Sequence, residues 1–114
     1  MNGLKDRSCV APKKGARALT AQRAAKLLSE IPGWKLNPET QTLSRTLGFK
    51  NFYETMAFVN ALAWIANRED HHPDLEVGYK RCVVHYRTHE VDGLSENDFI
   101  CAAKINALVA KPKP

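Results

Sequence analysis

At 114 residues the chain fits one domain with a core of its own, and its 44% apolar content is that of a globular protein rather than a disordered or fibrous one. The net charge of +5 is uneven: Lys5, Arg7, Lys13, Lys14 and Arg17 against Asp6 leave +4 in residues 1–18 and +1 elsewhere, which argues against specific nucleic-acid recognition. Cys9, Cys82 and Cys101 are odd in number and widely spaced, which speaks against a disulfide scaffold and for a reducing cytoplasm.

Residues 1–18 lack apolar periodicity and read as a flexible basic tail. No apolar stretch follows Lys5 and Arg7, as a secretory signal requires. The longest apolar run, residues 56–66, is broken by Asn60 and is too short to cross a bilayer. Thr20 opens a helix carrying Ala21, Ala24, Ala25, Leu27 and Leu28, which stops before Pro32-Gly33. Trp34 begins a short strand, residues 37–40 read as a turn, and Leu43, Leu47 and Phe49 alternate with Thr42, Ser44, Thr46 and Gly48. Residues 34–49 are therefore expected to form a β-hairpin.

Asn51 starts the strongest helix, with Glu54 placed for a capping box. Phe52, Met56, Val59, Ala63 and Ala66 form its apolar face, widened by Phe58, Leu62 and Ile65. That helix ends near Asp70, ahead of Pro73. Residues 76–88 follow as strand material, with Cys82, Val84 and Tyr86 on one face and Val77, Tyr79, Arg81, Val83, His85, Arg87 and His89 on the other. A break near Gly78 fits two strands between Asp74 and His89. The last helix runs from about Ser95 to Ala110, with Phe99, Ile100, Ala103, Ala107 and Leu108 inward, and residues 111–114 form a frayed C-terminus. The order of elements predicts a single α+β domain whose helices pack against an antiparallel sheet.

All four histidines fall within nineteen residues, and three of them, His71, His72 and His89, are the candidates for chemistry, with Asp98 following them. Imidazole donates and accepts protons near neutral pH, its free pKa being roughly 6.5, so proton transfer is the chemistry this cluster suits. Pro73 holds His72 in extended backbone where the helix gives way to loop, and the two imidazoles leaving a helix end diverge. Each residue also has a structural alternative. One of the His71-His72 pair can cap the helix C-terminus, His89 can be a buried structural histidine, and Asp98 can be the capping carboxylate of Ser95-Glu96-Asn97-Asp98. His85 sits mid-strand beside Arg87 as a surface or interface residue. Adjacent His71 and His72 cannot easily share a metal, and no His-Glu-x-x-His is present, so no metal is expected.

His71-His72-Pro73-Asp74, Tyr79, Val83, Thr88-His89, Gly93-Leu94-Ser95 and Asp98, with Pro32-Gly33-Trp34, Phe49, Phe52 and residues 63–66, resemble the signature of the pterin-4α-carbinolamine dehydratase family. The resemblance covers residues 19–110. It implies a four-stranded antiparallel sheet with three helices on one face, in a homodimer or homotetramer. It also implies a hydro-lyase that dehydrates 4a-hydroxytetrahydrobiopterin or a related 4a-hydroxytetrahydropterin. Such an enzyme recycles the pterin of an aromatic amino acid hydroxylase in the cytoplasm, with no cofactor or metal and no membrane or nucleic-acid partner. His71, His72 and His89 take the catalytic roles by that resemblance, His71 and His89 as acid and base and His72 orienting the pterin. Asp98, Thr88 and Pro73 support them, and Trp34 offers either an apolar wall to the flat ring or core packing. Some animal members also serve as dimerisation partners of a homeodomain transcription factor, which makes an interaction protein the alternative. Many members place Glu four residues before the first histidine, where this chain has Asn67, a group that hydrogen-bonds but carries no charge.

Overall fold

A computed structural model describes residues 3–110, and the frayed end expected over residues 111–114 lies outside the described residues. Thr20 caps helix α1 (Ala21–Leu28), its hydroxyl accepting from the Arg23 amide at 3.1 Å. Leu27 and Ala24 bury the inner face of this helix. The chain then turns through Gly33, whose φ of 89° is a conformation that glycine adopts without strain. Asn106 ties this turn down from the far end of the chain. Its side-chain amide donates to the Pro32 carbonyl at 3.0 Å, while its oxygen accepts from the Trp34 indole at 2.7 Å.

Strands β1 (Lys35–Asn37) and β2 (Thr42–Gly48) form the expected hairpin, closed by the Asn37 side chain accepting from the Glu39 amide at 2.9 Å. Strands β3 (Asp74–Val77) and β4 (Arg81–Tyr86) complete an antiparallel sheet of order β1-β2-β4-β3, with the break at Gly78 where the sequence suggested it. The register sets Leu43 opposite Tyr86 and Leu47 opposite Cys82, so the apolar residues of β2 and β4 share the face that the helices cover. Three helices on one side of four antiparallel strands is the predicted α+β architecture.

Helix α2 (Phe52–Glu69) is rotated relative to the expected face. Thr55, Phe58, Leu62 and Ala66 are buried, whereas Phe52 is 47% exposed and Ala63 also faces outward. The reason is Thr55: its hydroxyl lies 2.9 Å from the Tyr79 carbonyl of the β3–β4 turn and 3.0 Å from the Asn51 carbonyl, which docks a polar side chain in the interface. The capping box is half formed. Asn51 accepts from the Glu54 amide at 2.9 Å, but Glu54 accepts from Lys50 instead of Asn51. In helix α3 (Glu96–Val109) the buried residues are Asn97 through Ala102 and Ile105, while Ala107 and Leu108, expected inside, are exposed. In that last turn Val109 packs against the core, while Ala107 and Leu108 lie on the exposed side.

The amino-terminal segment departs from the expected tail. Leu4 is 7% exposed and belongs to the core, in a 3-10 turn (Leu4–Asp6) that lies along α3. Farther on, the Val10 amide donates to Asn97 at 3.0 Å and the Val10 carbonyl accepts from Asn97 at 2.8 Å. Single anchors such as these leave no periodic trace in a sequence. Among the described residues no helix is long and apolar enough to cross a membrane.

Candidate active site

The end of α2 determines where His71 lies. Asp70 takes a left-handed conformation (φ 51°, ψ 43°), a geometry Asp tolerates, and the His71 amide returns to the Ala66 carbonyl at 3.1 Å. The helix is thus closed by a left-handed cap, and His71 and His72 leave in the two residues before Pro73 and β3. They do not diverge around a helical turn, as a pair still on the helix would.

A second loop brings the partner of His71. Thr88 and Gly93 form an isolated antiparallel bridge, the Thr88 amide donating to the Gly93 carbonyl at 2.8 Å, around a 3-10 turn (His89–Val91) that ends on left-handed Asp92. Gly93 is required by space. A Cβ there would stand 2.8 Å from the Ala18 methyl. The loop delivers the chain to Ser95, where Asp98 closes a capping box and accepts from the Ser95 amide at 2.9 Å through Oδ2.

Asp98 does more than cap. Its Oδ1 lies 2.6 Å from His71 Nε2, and its Oδ2 also accepts from the Thr88 hydroxyl at 2.7 Å. The Ser95 and Thr88 hydroxyls are 2.6 Å apart. Since Thr88 has one hydroxyl proton and directs it to Asp98, Ser95 donates to Thr88. The carboxylate is fully buried and the imidazole side chain is 11% exposed. Burial by itself disfavours the imidazolium, but the hydrogen bond to Asp98 and its charge outweigh burial, helped by Cys9 and Glu90, and the His71 pKa is raised. Nε2 is engaged by the carboxylate, and among the described residues no hydrogen bond is made by Nδ1.

Tyr86 was missed in the sequence. Its ring stacks on His71 with centroids 5.4 Å apart and planes 11° apart, and Trp34 lies behind it at 6.2 Å. Trp34 is 6% exposed and donates to Asn106, so it belongs to the core and meets the histidine only through Tyr86. The Tyr86 hydroxyl is buried beside the Cys101 thiol, and burial pushes its pKa far above that of a free phenol. The alternation of β4 already faced Tyr86 toward the helices. Nothing in the sequence showed that an imidazole would close over it.

The structure therefore brings together His71, Asp98 and Thr88, with Ser95 and Tyr86 added. His72 is exposed and pairs with Asn67 instead, its Nε2 3.2 Å from the Asn67 oxygen. His89 stands exposed on the 3-10 turn one residue after Thr88, not buried, and no hydrogen bond among the described residues joins it to His71. Pro73 is half-buried between His72 and the first residue of β3. His85 lies on the opposite face of β4, its Nδ1 2.6 Å from Ser44 Oγ and its Nε2 2.5 Å from Glu76 Oε2. Among the described residues no group of three or more His, Cys, Asp or Glu side chains is arranged to hold a metal ion.

The family model for pterin 4 alpha carbinolamine dehydratase matches residues 17–108. A protein of Stenotrophomonas maltophilia strain K279a, provisionally named pterin-4-alpha-carbinolamine dehydratase, is 64% identical over 101 residues, covering 88% of this chain and 86% of its own. A provisionally so named protein of Hydrogenovibrio crunogenus is 49% identical over 106 residues, covering 93% and 94%. The crystal structure of a transcriptional coactivator/pterin dehydratase from Brucella melitensis superimposes with a TM-score of 0.79 at 30% identity, over 82% of this chain and all of that one.

Proposed function

The chain belongs to the pterin-4α-carbinolamine dehydratase family, and from that membership we propose that it dehydrates a 4a-hydroxytetrahydropterin, the tetrahydrobiopterin form included, to the quinonoid dihydropterin. The observation that carries this reading is the buried His71–Asp98 pair at 2.6 Å. Elimination of water requires a proton for the departing C4a hydroxyl and removal of another from a ring nitrogen. A histidine whose pKa a buried carboxylate raises is suited to the first task, so His71 delivers the proton through Nδ1. His89, exposed on the turn that also carries Thr88 to Asp98, takes the ring proton. His72, steadied by Asn67, binds and orients the pterin, and Pro73 fixes its backbone. Asp98 and Thr88 position His71, and Trp34 supports it from behind Tyr86.

This reading needs no redox group or metal, because the reaction moves protons and expels water. The enzyme then acts as a homodimer or homotetramer in the cytoplasm, returning pterin to an aromatic amino acid hydroxylase. The alternative, a regulatory dimerisation partner in transcription, draws on the similarity to the transcriptional coactivator/pterin dehydratase of Brucella melitensis. Lys104 and Asn106 on the last helix are occupied within this chain, by the Lys5 carbonyl and by Pro32 and Trp34, which favours the enzyme. The test is to follow loss of freshly generated 4a-hydroxytetrahydropterin in chelator-treated buffer. Acceleration by the protein supports a dehydratase, and a rate equal to buffer alone refutes it.

A further inference from the structure

Cys9 and Cys101 are 92 residues apart in sequence and their sulfurs are 3.5 Å apart in space. Cys9 is half-buried near the end of the segment that lies along α3, and Cys101 is fully buried within α3. Cys82, the remaining thiol, is buried in β4. The segment is held at this place from several sides. The Cys9 amide donates to Glu69 at 2.8 Å, Val10 exchanges two hydrogen bonds with Asn97, and the Cys9 thiol lies 3.7 Å from the Asn97 carbonyl. Cys9 is also outside residues 17–108, the part matched by the family model, so the pairing is not part of the dehydratase signature.

We propose that Cys9 and Cys101 form a reversible modification site, a thiol pair that hydrogen peroxide converts to an intramolecular disulfide fastening residues 3–10 to α3. The Cys9 thiol gives its proton to solvent, and the half-buried thiolate attacks peroxide, forming an S–O bond as the O–O bond breaks; the hydroxide released takes that proton back from solvent and leaves as one water. The Cys101 thiol then attacks that sulfur and loses its proton, an S–S bond forms, and the hydroxyl departs with the proton as a second water. Two thiols lose two electrons and the peroxide gains them. The second step needs no solvent path to Cys101, because its target is already in contact. Closing from 3.5 Å to a bond of roughly 2.05 Å takes about 1.5 Å of approach.

The order of events follows the electrostatics. The hydrogen bond from Cys101 lowers the Cys9 pKa, assisted by His71 and Lys104, whereas the same contact and burial hold the Cys101 pKa up. Thiolate character therefore concentrates on the cysteine that peroxide can reach. Cys101 is also close to the Tyr86 hydroxyl, and Tyr86 stacks on His71, so the crosslink forms one aromatic ring away from the proposed acid. In a reducing compartment such a pair is a transient sensor, consistent with a chain that has no structural disulfide.

The experiment treats the full chain with a small excess of hydrogen peroxide, counts thiols by iodoacetamide labelling in denaturant, and maps peptides by mass spectrometry without reductant. The expected result is a fall from three free thiols to one, Cys82, a peptide joining Cys9 to Cys101, and recovery of all three with dithiothreitol. Cys9→Ser, at the half-buried position where folding is least at stake, abolishes the joined peptide and leaves Cys101 reduced. Asn97→Ala, which releases Val10, slows crosslinking at least threefold. Oxidation of Cys9 to sulfinic acid without a crosslink, a Cys9–Cys9 bond between two chains, or three thiols surviving the treatment overturns the proposal.

Discussion

His71 Nε2 and Asp98 Oδ1 meet at 2.6 Å although 27 residues separate them, and the same carboxylate closes the first turn of α3. One group thus sets both the helix start and the protonation state of the histidine. Replacing it with an amide keeps the shape and removes the charge. Asp98→Asn is expected to lower kcat for dehydration by about tenfold or more, a part of the roughly 10²–10⁴-fold that a whole proton-transfer step contributes. It also moves the His71 titration, followed by NMR, to lower pH. Unchanged kcat and an unmoved titration contradict the role given to Asp98.

The same pair makes stability depend on pH. His71 has a folded pKa raised above the roughly 6.5 of an unfolded histidine. Its contribution is therefore fully present below that unfolded value and is lost as pH rises through the raised folded value. Urea unfolding of the parent between pH 6 and pH 9 (a range of about 3 units around the free histidine value) is expected to show stability falling more steeply than in His71→Ala. Parallel curves for the two proteins count against the account.

Tyr86 offers a test of a buried polar atom. Its hydroxyl is buried beside the Cys101 thiol, a weak hydrogen-bonding group, so its desolvation cost is poorly compensated. Tyr86→Phe keeps the ring against His71 and is expected to leave stability unchanged or raise it by about 1 kcal/mol. Tyr86→Leu, which removes the stack, is expected to destabilise by about 1–3 kcal/mol. A Phe variant that loses more than the Leu variant would show that the hydroxyl is strongly bonded and contradict this reading.

Gly93 and Ala18 are coupled by contact. The 2.8 Å approach of a Cβ at position 93 to the Ala18 methyl predicts that Gly93→Ala destabilises by about 1–3 kcal/mol, as overpacking does. Ala18→Gly in the same chain recovers most of that loss, and a double-mutant cycle measures it. Strictly additive effects would mean that the clash is relieved elsewhere.

What the sequence disclosed and what it hid have physical causes. Alternation in Leu43, Leu47, Cys82, Val84 and Tyr86 was sufficient to assign the inner face of β2 and β4, because a pleated strand turns every second residue inward. Gly78 marked the break between β3 and β4, and Ser95-x-x-Asp98 marked the start of α3. The rotation of α2 was hidden, because Phe52 and Ala63 look more apolar than Thr55 and only the Tyr79 carbonyl makes Thr55 an inward residue. Asp98 was legible both as a cap and as a partner of histidine, and the structure uses it as both. Tyr86 against His71, Asn67 with His72, and Cys9 beside Cys101 are contacts across loops and elements, which no local spacing encodes. The stretch 3–10 was hidden for the same reason, since Leu4 and Val10 are isolated anchors in a basic run.

The central claim is that histidines on two loops eliminate water from a 4a-hydroxytetrahydropterin. Its most direct test is the initial rate of quinonoid dihydropterin formation in chelator-treated buffer for the parent, His71→Ala and His89→Ala, with folding of each confirmed by circular dichroism. The account predicts acceleration by the parent and a loss of at least about tenfold in each variant, a threshold set below the roughly 10²–10⁴-fold that one acid–base group contributes. A folded parent no faster than buffer, or variants as fast as the parent, contradicts it.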